Sequence, residues 1–397
     1  MKKVINEEVL NNSHFLNPVE FSKEDCLKAI DFILKKIDDN LEKYGVLKFP
    51  GAASKNNIYE FSEKNVGWTT SFWTGMLWLA FEVTGKEKYK EAAMQQLDTY
   101  KHRIDNKVDT DTHDLGFIYT LSCVAGYKLT GSEEAKETAL KAAELLITRY
   151  FEKAGIIQAW GDLNDPNQRG RMIIDCCMNL PLLYWASEVT GDSKYSKIAQ
   201  SHAEKAAEYI VREDASTFHT FYMDVETGEP KFGKTHQGFS DSSCWSRGQA
   251  WGIYGFSLSY LYTKNSEMIG LTKKISNYFL NRLPSDNICY WDLIFTEGTQ
   301  ERDSSAAAIA VCGLLEMTKI LPLTDPYRKT YENATLAIIK SLAENYTSAN
   351  DSDSNGILLH AVYGKPFNNG VDECNIWGDY YYFEALVRLI KDWQLYW

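Results

Sequence analysis

A short join recurs along this chain between an aromatic, small-residue-rich helix pattern and an amphipathic one, and no other feature limits the fold so strongly. Val83-Thr84-Gly85-Lys86-Glu87-Lys88-Tyr89 matches Val189-Thr190-Gly191-Asp192-Ser193-Lys194-Tyr195, and Leu129-Thr130-Gly131-Ser132-Glu133-Glu134 is a looser copy. In each, glycine follows the last apolar turn, where a left-handed cap is needed, and a polar residue opens the next helix. A fourth join, Tyr262-Thr263-Lys264-Asn265-Ser266, carries Asn where the others carry Gly, Asn being the next residue to tolerate left-handed backbone. Units of this kind cannot bury their apolar faces alone, so they stack into solenoids or rings.

The apolar helices are expected at 69–83, 115–129, 172–189, 246–262, 304–319 and 377–394, and their amphipathic partners at 23–46, 86–104, 132–151, 192–213, 266–282 and 326–346. The stretch from Thr69 to Ala80 is apolar nearly all round and reads as buried on every side, whereas Ala135, Ala139, Ala142, Ala143, Leu146 and Ile147 form one face of a helix whose other face is charged. The first amphipathic helix lacks a preceding partner and the last apolar helix lacks a follower. Pairing them closes the chain into an all-α (α/α)6 toroid, which spares a buried-type helix from exposure at either end. One catalytic domain over 1–397, with 1–22 as an N-terminal extension, is the expected organisation. In this topology the long segments 47–68, 105–114, 152–171, 214–245, 283–303 and 347–376 all emerge at one end. Long loops are commonly functional, and text such as Thr217 to Tyr222 before Glu226-Thr227-Gly228-Glu229 predicts short strands there.

Composition excludes several classes. The net charge is −12, with no Lys/Arg run for a phosphate backbone, so a nucleic-acid partner is not expected. The N-terminal text has no apolar core of a signal peptide, and no stretch is long enough to span a membrane. The eight cysteines show no zinc spacing, and Cys123, Cys176, Cys177 and Cys312 fall in apolar helix text, which fits a reducing compartment. A cytoplasmic location is the expectation. Eleven Trp and 24 Tyr supply core side chains, and they also suit a pocket that stacks sugar rings. No dinucleotide, Walker A, GxSxG or HExxH motif occurs, and a calcium loop counted from Asp109 would put Asp114 where glycine is needed. Neither cofactor nor metal is expected.

Two acids stand out. Asp175, in Ile173-Ile174-Asp175-Cys176-Cys177, is an ionisable group in apolar text. Desolvation there favours the protonated form and suits a proton donor; equally, it reads as a buried Asp satisfied by an arginine or by backbone donors. Asp114 stands at the mouth of the second inner helix, where it is either an N-cap or a site residue. A third cluster, His219, His236, Gln237, Ser240, Asp241, Ser243, Trp245, Arg247, Gln249 and Trp251, surrounds the start of the fourth inner helix. Arg247 is either a carboxylate clamp or the partner of a loop acid.

Taken in order, the text around Gly67-Trp68-Thr69, His113-Asp114-Leu115-Gly116-Phe117, Gln158-Ala159-Trp160-Gly161, Ile174-Asp175, Phe218-His219-Thr220, Gln237-Gly238, Trp245-Ser246-Arg247-Gly248-Gln249-Ala250-Trp251-Gly252, Arg302-Asp303-Ser304-Ser305 and Asn375-Ile376-Trp377-Gly378-Asp379 resembles the unsaturated glucuronyl hydrolases, glycoside hydrolase family 88, over essentially the full chain. The resemblance implies the same toroid and, as partner, an oligosaccharide bearing a 4,5-unsaturated uronic acid at its non-reducing end. It also implies Asp175 as general acid/base at C4 and C5, Asp114 as its helper at the ring hydroxyls, and Trp68, His113, Trp160, His219, Gln237, Arg247 and Trp251 as pocket residues. One departure is visible. Members that favour sulfated fragments carry Ser and Lys after Leu-Leu-His-x-Val-Tyr, whereas here Tyr363 is followed by Gly364-Lys365-Pro366-Phe367-Asn368-Asn369-Gly370. The competing readings are a hydrolase of unsaturated rhamnogalacturonan fragments, a sugar epimerase using histidines, and a non-catalytic sugar-binding protein.

Overall fold

The computed structural model describes residues 3–9 and 15–397. Six outer helices, α1 (Lys23–Tyr44), α3 (Glu87–Asp105), α5 (Glu133–Ile147), α7 (Ser193–Lys205), α9 (Ser266–Leu280) and α11 (Arg328–Asn345), surround six inner ones. The inner set is α2 (Thr70–Thr84), α4 (Leu115–Tyr119, a π turn Thr120–Val124, then Ala125–Thr130), α6 (Cys176–Asn179 and Pro181–Thr190), α8 (Ser246–Thr263), α10 (Ser304–Ile320) and α12 (Ile376–Ile390). Each inner helix packs on the next, and α12 packs on both α1 and α2. The ring is closed as the unpartnered end helices require: an (α/α)6 toroid.

Close approach within the inner ring depends on residues without side chains. A Cβ at Gly255 of α8 would overlap Cys177 of α6, and one at Gly313 of α10 would lie 2.8 Å from Tyr254 N. The joins behave as their glycines dictate, with Gly85, Gly131 and Gly191 at φ 66°, 73° and 73°. The fourth join differs from the expectation. Lys264, not Asn265, takes the left-handed turn at φ 56°, because Asn265 is used as the N-cap of α9, its side chain accepting from Glu267 N.

The strands lie in the outer-to-inner segments. β1 (Phe49–Pro50) pairs with β2 (Phe61–Ser62), and β3 (Tyr150–Phe151) with β4 (Ile156–Ile157). β5 (Arg171–Ile173), β6 (Thr220–Met223) and β7 (Pro230–Lys234) form a three-stranded antiparallel sheet, and β8 (Ala361–Gly364) pairs with β9 (Asn369–Glu373).

Several helix boundaries correct the sequence reading: the run 132–151 leaves the helix after Ile147 and ends in β3, and 192–213 passes from α-helix to a π turn after Lys205 and ends at Ile210. The run 172–189 starts as β5, because Met172 and Ile173 find backbone partners on Phe221 and Thr220, and helix begins only after Asp175. The run 377–394 leaves the helix after Ile390. Its last residues turn back under the ring, where Trp397 stacks on Tyr381 at 5.9 Å and Trp393 Nε1 donates to Glu82 at 2.7 Å. Burying Trp393, Tyr396 and Trp397 outweighs one further helical turn. Of the 1–22 extension, positions 1, 2 and 10–14 lie outside the described residues; Glu7 pairs with Arg282 beside α9 at 3.0 Å.

Overpacking a tight inner-ring contact costs about 1–3 kcal/mol. Gly255→Val is therefore expected to lower Tm clearly, whereas Gly270→Ala, at a position with open space around it, leaves Tm unchanged or raised; thermal unfolding of both variants checks this.

Candidate active site

Five of the six long segments converge on one cavity of about 260 Å³ at the mouth of the ring. Its walls are Trp68, His113, Asp114, Trp160, Asp175, His219, His236, Gln237, Trp245, Arg247, Trp251 and Tyr363. All nine residues singled out from the sequence are thus in one place. His236 and Trp245, which the sequence placed only in a broader cluster, join them, as does Tyr363 at the end of β8.

Local structure explains how each arrives. Asp114 and Asp175 occupy the N-cap positions of α4 and α6, yet neither makes a side-chain capping bond. The N-cap alternative for Asp114 is therefore not what the carboxyl does; Oδ2 instead accepts from Thr112 Oγ1 at 2.7 Å. His113 N donates to Ala159 O at 2.7 Å, which ties the start of α4 to the strand-like run carrying Trp160. Ile174 N donates to His219 O at 3.2 Å, so the approach to β6 brings His219 beside Asp175. His219 Nδ1 accepts from both His236 N and Gln237 N at 2.9 Å, which puts its ring proton on Nε2. Gln237 Nε2 and Trp68 Nε1 then reach Tyr363, at its carbonyl and its hydroxyl, both at 2.9 Å.

The floor and one wall are aromatic. Trp251 lies 5.3 Å from Phe117 and 5.5 Å from Tyr381, and Trp68 lies 4.9 Å from Trp377. At the rim the Arg171 guanidinium covers Trp160 at 4.6 Å, and His236 stands 5.5 Å from the same indole. Such faces stack well against the C–H side of a sugar ring.

The polar centre is a triangle. His113 Nε2 is 3.4 Å from Asp114 Oδ1 and 3.4 Å from Asp175 Oδ1. Burial holds His113 down to about 3, with Arg149 adding to it, so the imidazole is neutral. Asp114 is raised by burial, against the opposing bonds from Thr112 and Asn179. Asp175 is raised further, by burial first and then by the Asp114 charge, with Arg247 opposing. Its Oδ1 has no hydrogen-bond partner among the described residues. Repulsion between two carboxyls this close favours one proton between them, and burial together with the Asp114 charge pushes Asp175 toward its protonated form. The ligand-type atoms of His113, Asp114 and Asp175 lie within 4.8 Å of one another. A cation there would demand both carboxylates ionised, whereas their surroundings favour the proton.

Of the two parts that the sequence left open for Arg247, the structure shows the pairing with a loop acid. Arg247 lines the cavity, yet its guanidinium pairs with Asp303 at 3.4 Å, donates to Tyr363 O at 2.7 Å and bonds Val362 O. It is sandwiched between Trp245 at 4.4 Å and Trp377 at 4.9 Å. Its charge therefore reaches the cavity from a fixed position, with donors already spent on Asp303 and on β8.

A family model for Glycosyl Hydrolase Family 88 matches residues 46–393. The chain belongs to this family. It is 48% identical over 398 residues to the unsaturated chondroitin disaccharide hydrolase of Streptococcus pneumoniae, covering 100% of both chains. A crystal structure of unsaturated glucuronyl hydrolase from Streptococcus agalactiae superposes with a TM-score of 0.97 at 48% identity, covering 100% of each chain. An Asp-to-Asn variant of the S. agalactiae enzyme, complexed with dGlcA-GalNAc6S, superposes at 0.90 with 46% identity, covering 100% of this chain and 99% of that one.

In this family 88 chain the carboxyl pair has a measurable signature. Asp175 has a folded-state pKa above its unfolded one, so its contribution to stability is present below the ordinary carboxylate range and is lost as pH rises through the folded value. Asp175→Asn is accordingly expected to raise Tm at pH 8, by roughly 2 °C, and to leave it unchanged at about pH 3.5, below the ordinary carboxylate value. Thermal melts of both proteins at the two pH values provide the check.

Proposed function

We propose that this enzyme removes the 4,5-unsaturated uronic acid from the non-reducing end of lyase-generated glycosaminoglycan oligosaccharides. The observation that carries the proposal is the Asp175 carboxyl, pushed toward its protonated form beside Asp114 and with Oδ1 lacking a hydrogen-bond partner among the described residues, in a cavity sized for about one sugar ring. At about 260 Å³ the cavity falls just under the range of roughly 300–1,000 Å³ usual for ligand sites. Trp251, backed by Phe117, lines it, and a cavity of this size suits a single terminal ring.

The chemistry follows from where a proton is held. A conventional inverting glycosidase separates its carboxyls by about 6.5–9.5 Å to admit water between them, and here the pair lies within 4.8 Å. Asp175 instead gives its proton to C4 of the ring's vinyl ether, leaving an oxocarbenium ion at C5 and the ring oxygen. Water adds at C5 and returns a proton to the Asp175 carboxylate. The C5 hemiketal opens to a ketone, the former ring oxygen leaves C1 as a hemiacetal, and this collapses to an aldehyde with release of the neighbouring sugar. One water is consumed and Asp175 ends as it began. Asp114, ionised and held by Thr112, takes the ring hydroxyls and stabilises the cation. Trp68, Trp160 and Trp251 bound the ring, while His113, His219 and Gln237 offer hydrogen bonds around it. Arg247 lends its fixed charge to the uronate carboxylate.

Glycosaminoglycan fragments are favoured over rhamnogalacturonan ones by the substrates in the relatives' names. The epimerase reading needs two imidazoles that exchange protons, and His219 has Nδ1 committed to two backbone donors. For the second sugar, the 364–370 turn offers the exposed Phe367 ring, 4.8 Å from His236, and Lys365 already paired with Glu301. That surface suits an unsulfated sugar. The eight cysteines are all free thiols and buried, which supports work in the reducing cytoplasm.

Two outcomes are expected. Asp175→Asn lowers kcat by at least about a hundredfold, followed as loss of the C4=C5 ultraviolet absorbance, with an unchanged circular dichroism spectrum; near-wild-type turnover would remove Asp175 from its role. On unsaturated chondroitin disaccharides, kcat/KM is higher without a sulfate than with a 6-sulfate, and the reverse order in the same assay would refute the reading of the 364–370 turn.

A further inference from the structure

Outside the cavity, the three-stranded sheet carries a row of side chains that the chemistry above does not use. Arg171, Tyr222 and Phe232 stand opposite one another across β5, β6 and β7. The Arg171 guanidinium lies 4.6 Å from the Trp160 ring and 5.5 Å from that of Tyr222, and Tyr222 stacks on Phe232 at 4.8 Å. The row therefore runs outward from a cavity wall, Trp160, to a phenyl ring that is 52% exposed. Backbone fixes its inner end, because Ala159 N donates to Arg171 O at 2.9 Å.

Arg171 is held in place without being neutralised. Its Nε donates to the Tyr222 hydroxyl at 2.9 Å, and among the described residues no hydrogen bond or ion pair occupies its two terminal nitrogens. The neighbouring cations differ: Arg169 pairs with Glu226 at 3.0 Å and Lys231 with Asp224 at 3.2 Å. Asp165, which feels the Arg171 charge, spends its carboxyl on Asn167 N and Gln168 Nε2 at 2.9 and 2.6 Å. Acids are plentiful in a chain of net charge −12, yet none is set against this fork. A guanidinium resting on two rings with its outer nitrogens open is prearranged for a carboxylate.

We propose that this row is a further subsite for longer substrates, in which Arg171 takes the carboxylate of the third sugar and the Tyr222 and Phe232 rings carry the sugar faces beyond it. The proposal rests on the function assigned above, with the terminal ring in the cavity and the rest of the oligosaccharide leaving by its mouth. Glycosaminoglycans alternate uronic acids with amino sugars, so in an unsulfated fragment the first and third rings carry carboxylates and the second does not. The occupant is therefore a tetrasaccharide or longer. The row is continuous with the cavity through Trp160, its charge is opposite to that of the third ring, and its aromatic faces suit the C–H sides of sugars.

The test compares unsulfated unsaturated chondroitin tetrasaccharide with the matching disaccharide, both followed by loss of the C4=C5 absorbance. Wild-type KM is expected to be about tenfold lower for the tetrasaccharide, the effect of one charge-assisted hydrogen bond. That advantage shrinks as salt is raised, because partly exposed charges are screened. Arg171→Gln removes most of the advantage and Arg171→Lys keeps part of it. Phe232→Ala raises the tetrasaccharide KM by about threefold, the worth of one aromatic contact, while the disaccharide KM stays as in wild type. Equal KM for the two substrates in the wild type, or an advantage that survives Arg171→Gln, overturns the proposal. So does a loss in Arg171→Gln confined to a 6-sulfated disaccharide, which would make Arg171 a sulfate contact of the second sugar. Failure of the wild type to consume either substrate is a different result: it would overturn the function assigned above and this subsite with it.

Discussion

The site depends on two half-buried carboxyl groups forced to share one corner with a buried, neutral histidine. Asp114 and Asp175 both lie 3.4 Å from His113 Nε2, and burial makes it costly for both to be charged. That single constraint turns an ordinary pair of helix-start aspartates into a stored proton with a place to go. The surrounding features either maintain the dryness, as Trp68, Trp160 and Trp251 do, or bias the pair, as Arg247 and Thr112 do. The toroid is what allows it. Closing six hairpins into a ring gathers their long connections at one end, so residues far apart in the chain, such as Trp68 and Tyr363, meet at 2.9 Å.

The scaffold spends its conformational exceptions on packing and its polar exceptions on the cavity. Glycines at 255 and 313 let inner helices touch through backbone and small side chains. Beneath the cavity, Trp397 lies 6.0 Å from Phe117 and stacks on Tyr381, so the tail plugs the ring from the far side. Lower still, Arg388 joins Glu316, Glu384 and the Tyr254 hydroxyl in a buried network. Removing one member of such a network leaves an unpaired buried charge, typically costing about 3–5 kcal/mol, so this end of the ring is built for rigidity.

Much of this was legible in the residues, and the gaps have physical causes. Helix positions followed from the Gly-terminated joins and from apolar text with no polar face. The start at 172 was missed because Met172-Ile173-Ile174 is an apolar run that a buried strand and a buried helix share; only pairing with β6 decides it. The end at 394 was missed because Trp393 and Trp397 fit a helical stripe as well as they fit a lumen. Lys264 displaced Asn265 from the left-handed position because Asn is worth more as an N-cap there. Asp175 was visible as a charge in apolar text, but its partner relation to Asp114 was not, since the rest of α4, all of α5 and a long loop separate them. His236, Trp245 and Tyr363 belonged to stretches already in view, and nothing in their spacing told which way they point. Arg247 could be read as a clamp or as the partner of a loop acid, and the folded chain shows it paired with Asp303.

The central claim is that the enzyme acts on the vinyl ether and not on the glycosidic bond, with Asp175 supplying the proton. The most direct measurement uses a C-glycoside of the unsaturated uronate, in which the linking oxygen is replaced by CH2 and no glycosidic C–O bond exists to cleave. The account predicts that the wild-type enzyme still discharges the C4=C5 absorbance of this analogue, that the hydrated product carries C5 as a hemiketal carbon by carbon NMR, and that Asp175→Asn does neither. An enzyme that consumes the natural disaccharide but leaves the analogue's absorbance intact would contradict it.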